Sequence, residues 1–384
     1  MLPISVRRAV APLCVLALAL AGCGGDDDDA AAPAADETTT TTGAAATEPA
    51  DGTTTTAGDT TSEGTDDAAC APLAETESVT VSASSANVAF ATVYLAQELG
   101  YFEAEGLDVT IENLSSSDAL APLGQGRLDM TLSTINAGVY NAINSGVDIR
   151  WAAPLYEANP DAAEGLYVQA ELFPADQDTF DVSALEGKVV STPAGLGGTS
   201  TFILAEQMLA AGLTFDDLTY RQMGTTDILA ALEQGGLDMG WLSTPFWGQV
   251  ADNPDLRYVQ GFPDAQNGTA MLMGPSMSER PEVAEAFFRA LVKVSSEHLA
   301  GDYQDDPEVL AALSTALDTP EEDLVVDAPN VFDAGMRMDG AADFNERMQQ
   351  TFIDIGGLLD YDEPLAADTV IDESFLDAAR SCVG

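Results

Sequence analysis

Short polar turns carry most of the chemistry this chain can offer. Ser84, Ser85 and Asn87 follow an alternating apolar run at 79–83 and precede Val88, Ala91, Leu95 and Leu99 at helical spacing. The arrangement returns at Ser115 and Ser116, at Ser133, Thr134 and Asn136, and at Thr192. It appears again at Gly198, Thr199 and Ser200, at Thr225 and Thr226, and at Ser243 and Thr244. A turn that ends a strand and opens a helix presents hydroxyls and unpaired N–H groups, which attract oxygen-rich or anionic groups. That chemistry is capture of a solute. Taken singly, each hydroxyl also reads as a helix N-cap; taken together, they read as the lining of a cleft.

Catalysis finds little support. His298 is the only histidine and falls on the apolar stripe of a C-terminal helix. No Cys/His spacing suits a metal, and no Ser/His pair falls in the turns. Carboxylate pairs such as Asp216-Asp217 carry no signal in a chain with 64 acidic and 13 basic residues. No catalytic residue, metal or cofactor is therefore expected. The net charge of −51 excludes nucleic acid as a partner. It leaves an anionic solute open, because surface repulsion is screened by salt while amide donors act at contact. Trp151, Tyr156, Trp241, Phe246 and Trp247 lie beside the turns and suit either a flat ring or the core. Arg150 suits an anionic solute or a solvated strand start.

The elements that must position these turns alternate as strand and helix. Apolar runs at 107–113, 128–132 and 147–153 continue the first series, with a helix after Asp118 and another capped by Thr134 or Asn136. The series breaks over 164–186 and restarts at 187–192. The segment from Asp118 to Met130, Asp-x-Leu-Ala-x-Leu-x-Gln-Gly-x-Leu-Asp-Met, recurs 109 residues later from Asp227 to Met239 with nine identities in thirteen positions. That period is too long for a solenoid and implies two similar α/β lobes with equivalent loops. The expected organisation is a first lobe from 71 to 165, a second from 166 to 262, and completion of the first lobe with C-terminal helices over 263–384. Crossings at 154–165 and 261–267, the second ending at Asn267, form the hinge.

The termini set the compartment. Arg7 and Arg8 precede a short apolar run that ends in Leu20-Ala21-Gly22-Cys23. This is the pattern of a signal peptide, 1–22, with Cys23 as the lipidated residue of a lipobox; an ordinary secretory leader with a coincidental Cys is the alternative. Residues 24–70 hold 12 acidic residues, no basic one and no aromatic, a composition that cannot bury a core and is expected to serve as an acidic tether or spacer, 23–70. Cys70 and Cys382 remain after Cys14 and Cys23 are accounted for; in an oxidising compartment they form a disulfide or stay as two free thiols.

The segment Leu95-Ala-Gln-Glu-Leu-Gly-Tyr-Phe-Glu-Ala-Glu-Gly-Leu-Asp-Val109, with the Gln-Gly-x-Leu-Asp motif, resembles the nitrate/sulfonate/taurine-type solute-binding proteins of ABC transporters, a family that includes binders of thiamine pyrimidine precursors. The resemblance implies the two-lobed type II periplasmic binding fold, an α/β architecture with a hinge and an interlobe cleft. It implies a monomer at the outer face of the cytoplasmic membrane, touching the membrane only through its lipid and partnering a small solute, an ABC permease and its ATPase. Its ligand turns map onto Ser84, Ser85, Asn87, Ser115, Ser116, Ser133 and Thr134 in the first lobe, and onto Thr192, Gly198, Thr199, Ser200, Thr226, Ser243 and Thr244 in the second. Tyr156 and Asn267 at the crossings join them as candidate ligand residues. Gly195-Leu-Gly-Gly-Thr-Ser200 resembles the family's Gly-Ser/Thr turn and is the leading candidate segment. Where many relatives carry Trp-Glu-Pro, this chain has Ser243-Thr244-Pro245, so the usual acidic wall is expected to be missing and Thr244 to cap the following helix. A lipid-anchored sensor of the same fold is the alternative function; a pyrimidine-synthase-like enzyme is a more distant one.

Overall fold

A computed structural model describes residues 70–383. The expected leader, Cys23 and the tether up to residue 69 lie outside the described residues. The chain first lays down β1 (Glu77–Ala83), β2 (Leu107–Asn113), β3 (Met130–Thr134) and β4 (Arg150–Ala153). It then crosses to form β5 (Gly165–Gln169), β6 (Val189–Ser191), β7 (Thr219–Tyr220), β8 (Met239–Leu242) and β9 (Leu256–Gln260), and returns as β10 (Thr269–Met273). One sheet has the order β2-β1-β3-β10-β4 and the other β7-β6-β8-β5-β9. In each, four strands run in one direction, and the single antiparallel strand, between the third and the edge, is the one arriving from the other lobe. The two-lobed α/β fold expected from the sequence is thus present.

Local chemistry sets these elements. β3, β8 and β10 are almost wholly buried; the near-continuous apolar sequence of β8 and β10 fits strands covered on both faces, while β3 alternates Met130 and Leu132 with polar residues, Thr131 accepting from Ser82 Oγ at 2.7 Å. The helix Ser116–Gly124 starts three residues earlier than a cap at Asp118 implies. Its cap is Ser115, whose Oγ accepts the Asp118 N–H at 3.2 Å, while the Asp118 carboxylate sits in the first turn and accepts from Ser115 Oγ at 2.7 Å. Asn136 caps Ala137–Asn144, its Oδ1 accepting the Val139 N–H at 3.1 Å.

The internal repeat has the same mechanical role in both lobes. Gly126 and Gly235 turn the chain at φ of +66° and +67°, a region that favours a residue without Cβ. Asp129 then donates its N–H to Thr80 O at 2.9 Å and accepts the Thr80 N–H on Oδ2 at 2.7 Å. Asp238 does the same with Val189, at 2.9 and 2.8 Å. Each repeat staples the entry of its third strand to its first, using a carboxylate where the ladder would otherwise end.

The C-terminal segment is divided between the lobes. Helices Pro281–Val294 and Ser374–Val383 pack on each other and on the first lobe, and Pro307–Leu317 covers Ala91–Glu98. Helix Ala341–Ile355 instead packs on Thr199–Ala210 of the second lobe. Phe344 lies edge-on to Phe202 of the second lobe at 5.4 Å and to Trp151 of the first at 6.4 Å, and Phe352 also meets Phe202 at 6.4 Å. One apolar core therefore runs through both lobes at this end.

Cys70 and Cys382 are joined by a disulfide, with Cα atoms 5.3 Å apart. Beside it lies a buried ionic trio. Glu105 Oε2 accepts from Arg289 Nε at 2.8 Å and pairs with its Nη2 at 2.6 Å, and Glu105 Oε1 accepts from Lys293 Nζ at 2.6 Å. Arg289 Nη2 also donates to Ala71 O at 3.1 Å, tying down the chain next to the disulfide.

Candidate functional site

The crossings press against each other. Ala158 N donates to Ala265 O at 2.9 Å. A Cβ on Gly261 would lie 2.1 Å from Glu164 O, and one on Gly165 would lie 2.3 Å from Gln260 O, so glycine is required for the two segments to touch. This contact fixes Glu164 at the base of a cleft between the lobes.

The cleft encloses about 660 Å³, within the range of sites for organic molecules of drug-like size. The first lobe contributes Ser85, Asn87 and Val88; the second contributes Thr225, Thr226, Ser243, Thr244 and Phe246. Tyr156 and Glu164 come from the crossing. A further wall comes from 303–330, with Tyr303, Gln304, Thr319, Asp323, Leu324, Val326 and Asn330. That wall is strapped in place: Val326 N donates to Gln304 Oε1 at 3.1 Å, Asn159 Nδ2 to Pro329 O at 2.8 Å, and Glu157 N to Val331 O at 2.8 Å. A polar chamber of about 50 Å³ adjoins the cleft, sharing Tyr156, Glu164, Thr244 and Asn330 and adding Asn159, Tyr258 and Asn267.

Glu164 is the charged group common to both spaces. Its Oε2 accepts from Thr244 N at 3.2 Å and from Thr244 Oγ1 at 3.1 Å. Thr244 Oγ1 in turn accepts from Trp247 Nε1 at 3.2 Å. Burial pushes the Glu164 carboxyl above its usual range, against the donors of Thr244 and Trp241, which pull it down. Burial, with a smaller contribution from the Glu164 charge, holds the Tyr156 phenol well above its ordinary value. Among the described residues, neither Lys, Arg nor His lines the cleft or the chamber.

The turns expected to hold ligand divide into two groups. Ser85, Asn87, Tyr156, Thr226, Ser243 and Thr244 border the cleft, and Asn267 borders the chamber. Ser84, Ser115 and Ser116 are exposed away from it. Ser133 and Thr134 are taken up at the end of β3, where Thr134 O accepts from Ser133 Oγ at 3.4 Å and from Asn136 Nδ2 at 2.9 Å. Thr192 is fully buried and shares its hydroxyl with Thr201, Tyr220 and Gly195 O.

The leading candidate segment is closed off. Ala137 N, from the first lobe, donates to Gly197 O at 3.0 Å, and a Cβ on Gly197 would lie 2.7 Å from that of Ala137. Gly198 faces Ala194, whose Cβ would be 2.3 Å from an added one. Thr199 and Ser200 are buried beneath this contact. Gly197 thus seals the lobes together at this turn, and Gly198, Thr199 and Ser200 do not line the cleft.

Thr244 departs from expectation as well. The segment after it is a short 3-10 turn, Phe246–Val250, whose N-cap position is Pro245. Thr244 sends its N–H and hydroxyl to Glu164 in place of capping. The acidic wall expected to be missing is therefore present, supplied from the crossing. Trp151 and Trp241 are core residues, Arg150 pairs with Asp148 at 3.0 Å, and His298 meets Tyr101.

A family model described as NMT1/THI5 like matches residues 87–296. The chain belongs to the NMT1/THI5-like family. The match stops before the strapped wall at 303–330. The riboflavin-binding protein RibY of Chloroflexus aurantiacus is 26% identical over 220 residues, 56% of this chain and 60% of RibY; the chain thus matches about three fifths of that relative's length. Among solved structures, the periplasmic nitrate-binding protein NrtA of Synechocystis PCC 6803 aligns at a TM-score of 0.54 and 15% identity, over 82% of this chain and 90% of NrtA. The desulfurization enzyme DSZB aligns at 0.55 and 15%, over 80% of this chain and all of DSZB. The NMT1/THI5-like fold therefore carries binders and at least one enzyme, and the function of this member must be argued from its cleft.

Proposed function

We propose that this chain is the extracytoplasmic solute-binding component of an ABC importer, lipid-anchored through Cys23, that captures a small solute between its lobes and hands it to the permease. The observation that carries the reading is a cleft of about 660 Å³ bordered by polar turns of both lobes and by the crossing between them. A solute that bridges these turns biases the lobes toward one arrangement for the permease to recognise.

Of the two solute classes left open by the sequence, the lining favours the heterocycle. A unit anion about 4 Å from ionised Glu164 is repelled by about 4 kcal/mol at an effective dielectric of roughly 20. The helix start at Thr225 returns only about 0.3–1 kcal/mol. Phe246, Leu324 and Val326 suit a flat apolar ring, and the binding reported in the name of RibY makes riboflavin the first candidate. Calorimetric titration of the exported chain with riboflavin, formylaminopyrimidine, taurine and nitrate tests the reading. Saturable binding of a heterocycle is expected; a folded, ligand-free chain that binds none of the four would overturn it.

A further inference from the structure

Glu164 is held as a prepared acceptor. Thr244 clamps Oε2 with two donors, and Trp247 holds the Thr244 hydroxyl in turn. Trp241 is a weaker donor to the carboxyl, and among the described residues both close hydrogen bonds end on Oε2, leaving Oε1 without one. The carboxylate stands on the wall shared by the cleft and the polar chamber, where no basic side chain pairs with it. Tyr156 and Asn330, which share that wall, carry no charge that could neutralise it.

Resting on the solute-binding reading, we infer that Glu164 Oε1 is the specificity-determining acceptor for a ring or exocyclic N–H of a planar nitrogen heterocycle, such as a cyclic imide or an aminopyrimidine. A buried carboxylate without a cationic partner lowers its energy by accepting such a donor, and charge-assisted bonds are the stronger ones. The same group excludes solutes that present only acceptors to it, nitrate and sulfonates among them. Thr244 and Trp247 act as positioning residues: they fix the carboxylate so that little freedom is lost when the solute arrives.

The test compares riboflavin, whose imide N3 carries a hydrogen, with N3-methylriboflavin, and formylaminopyrimidine with the form dimethylated on its ring amino group, which keeps no N–H there. Titrations use the exported chain and its Glu164→Gln and Glu164→Leu variants, with circular dichroism confirming the fold. In the wild type, methylation of the bound heterocycle is expected to weaken binding by about tenfold or more, the size of one charge-assisted hydrogen bond. Glu164→Gln, which keeps an acceptor oxygen, retains part of this discrimination. Glu164→Leu loses it, so that the two members of the pair bind within about threefold of each other. Equal binding of a pair by the wild type, or discrimination that survives in Glu164→Leu, overturns the inference and leaves the importer reading standing. Tight binding of nitrate or taurine does the same. Failure of every probe on folded wild type removes the importer reading, and this inference with it.

Discussion

Replacing Glu105 by Gln keeps the side-chain volume and removes one charge from a trio closed to solvent. Glu105 is 2% exposed and Arg289 3%, whereas Lys293 is 34% exposed and can recover much of its hydration. The penalty therefore falls on Arg289, left with a neutral amide in place of a carboxylate that meets it with two contacts of 2.6–2.8 Å. Breaking one partner out of a buried pair costs about 3–5 kcal/mol, a large part of the ~5–15 kcal/mol that holds a typical domain. At roughly 2–4 °C per kcal/mol for a chain of this order of size, thermal unfolding should fall by roughly 6–20 °C. Urea unfolding of the oxidised chain, followed by circular dichroism, gives the free energy, and Glu103→Gln on the exposed side of the same turn serves as a control within about 0.5 kcal/mol of wild type. A Glu105→Gln loss below about 1 kcal/mol, the range of surface pairs, would refute the claim that the trio anchors the C-terminal helices.

Glu164→Gln should stabilise the chain at neutral pH. A carboxyl held above its ordinary value makes the native state bind more protons than the unfolded state, so stability falls as pH rises through that interval. The variant's advantage in thermal unfolding should shrink on acidification toward the ordinary carboxylate range; a gap that widens would contradict the assignment. Cys70→Ser, opening a loop closed across 312 residues, should lose up to about 5 kcal/mol on the chain-entropy account, read from the urea midpoint, and an unchanged midpoint would show that the bridge adds nothing.

Much of the fold was legible because its signals are local and repeated. The 109-residue repeat foretold equivalent loops, and Asp129 and Asp238 make the same bonds in each lobe. The family signature from Leu95 to Val109 contains Glu105, the hub of the buried trio, and so holds the fold. The site was legible where a turn alone decides exposure, as at Ser85, Asn87, Ser243 and Thr244. It was illegible where another lobe decides. Gly198, Thr199 and Ser200 have the composition of a ligand turn, yet Ala137 arrives from the first lobe and closes on Gly197 just before them. Glu164 is one of 64 acidic residues, and only the approach of Gly261 and Thr244 distinguishes it. The wall at 303–330 has no motif; it reaches the cleft through bonds such as Asn159 to Pro329, 170 residues apart.

Phe344 is gripped from both sides, by Phe202 of one lobe and Trp151 of the other. The molecule is therefore bound along one edge like a book. A clamshell that parted evenly would have to pull Phe344 and Phe352 off Phe202 and expose the aromatic spine to water, so the pages can spread at the cleft while the spine only slides. The extent of solute entry is then set by how far those rings can shift past one another while staying covered, and the spine limits how wide the cleft can open.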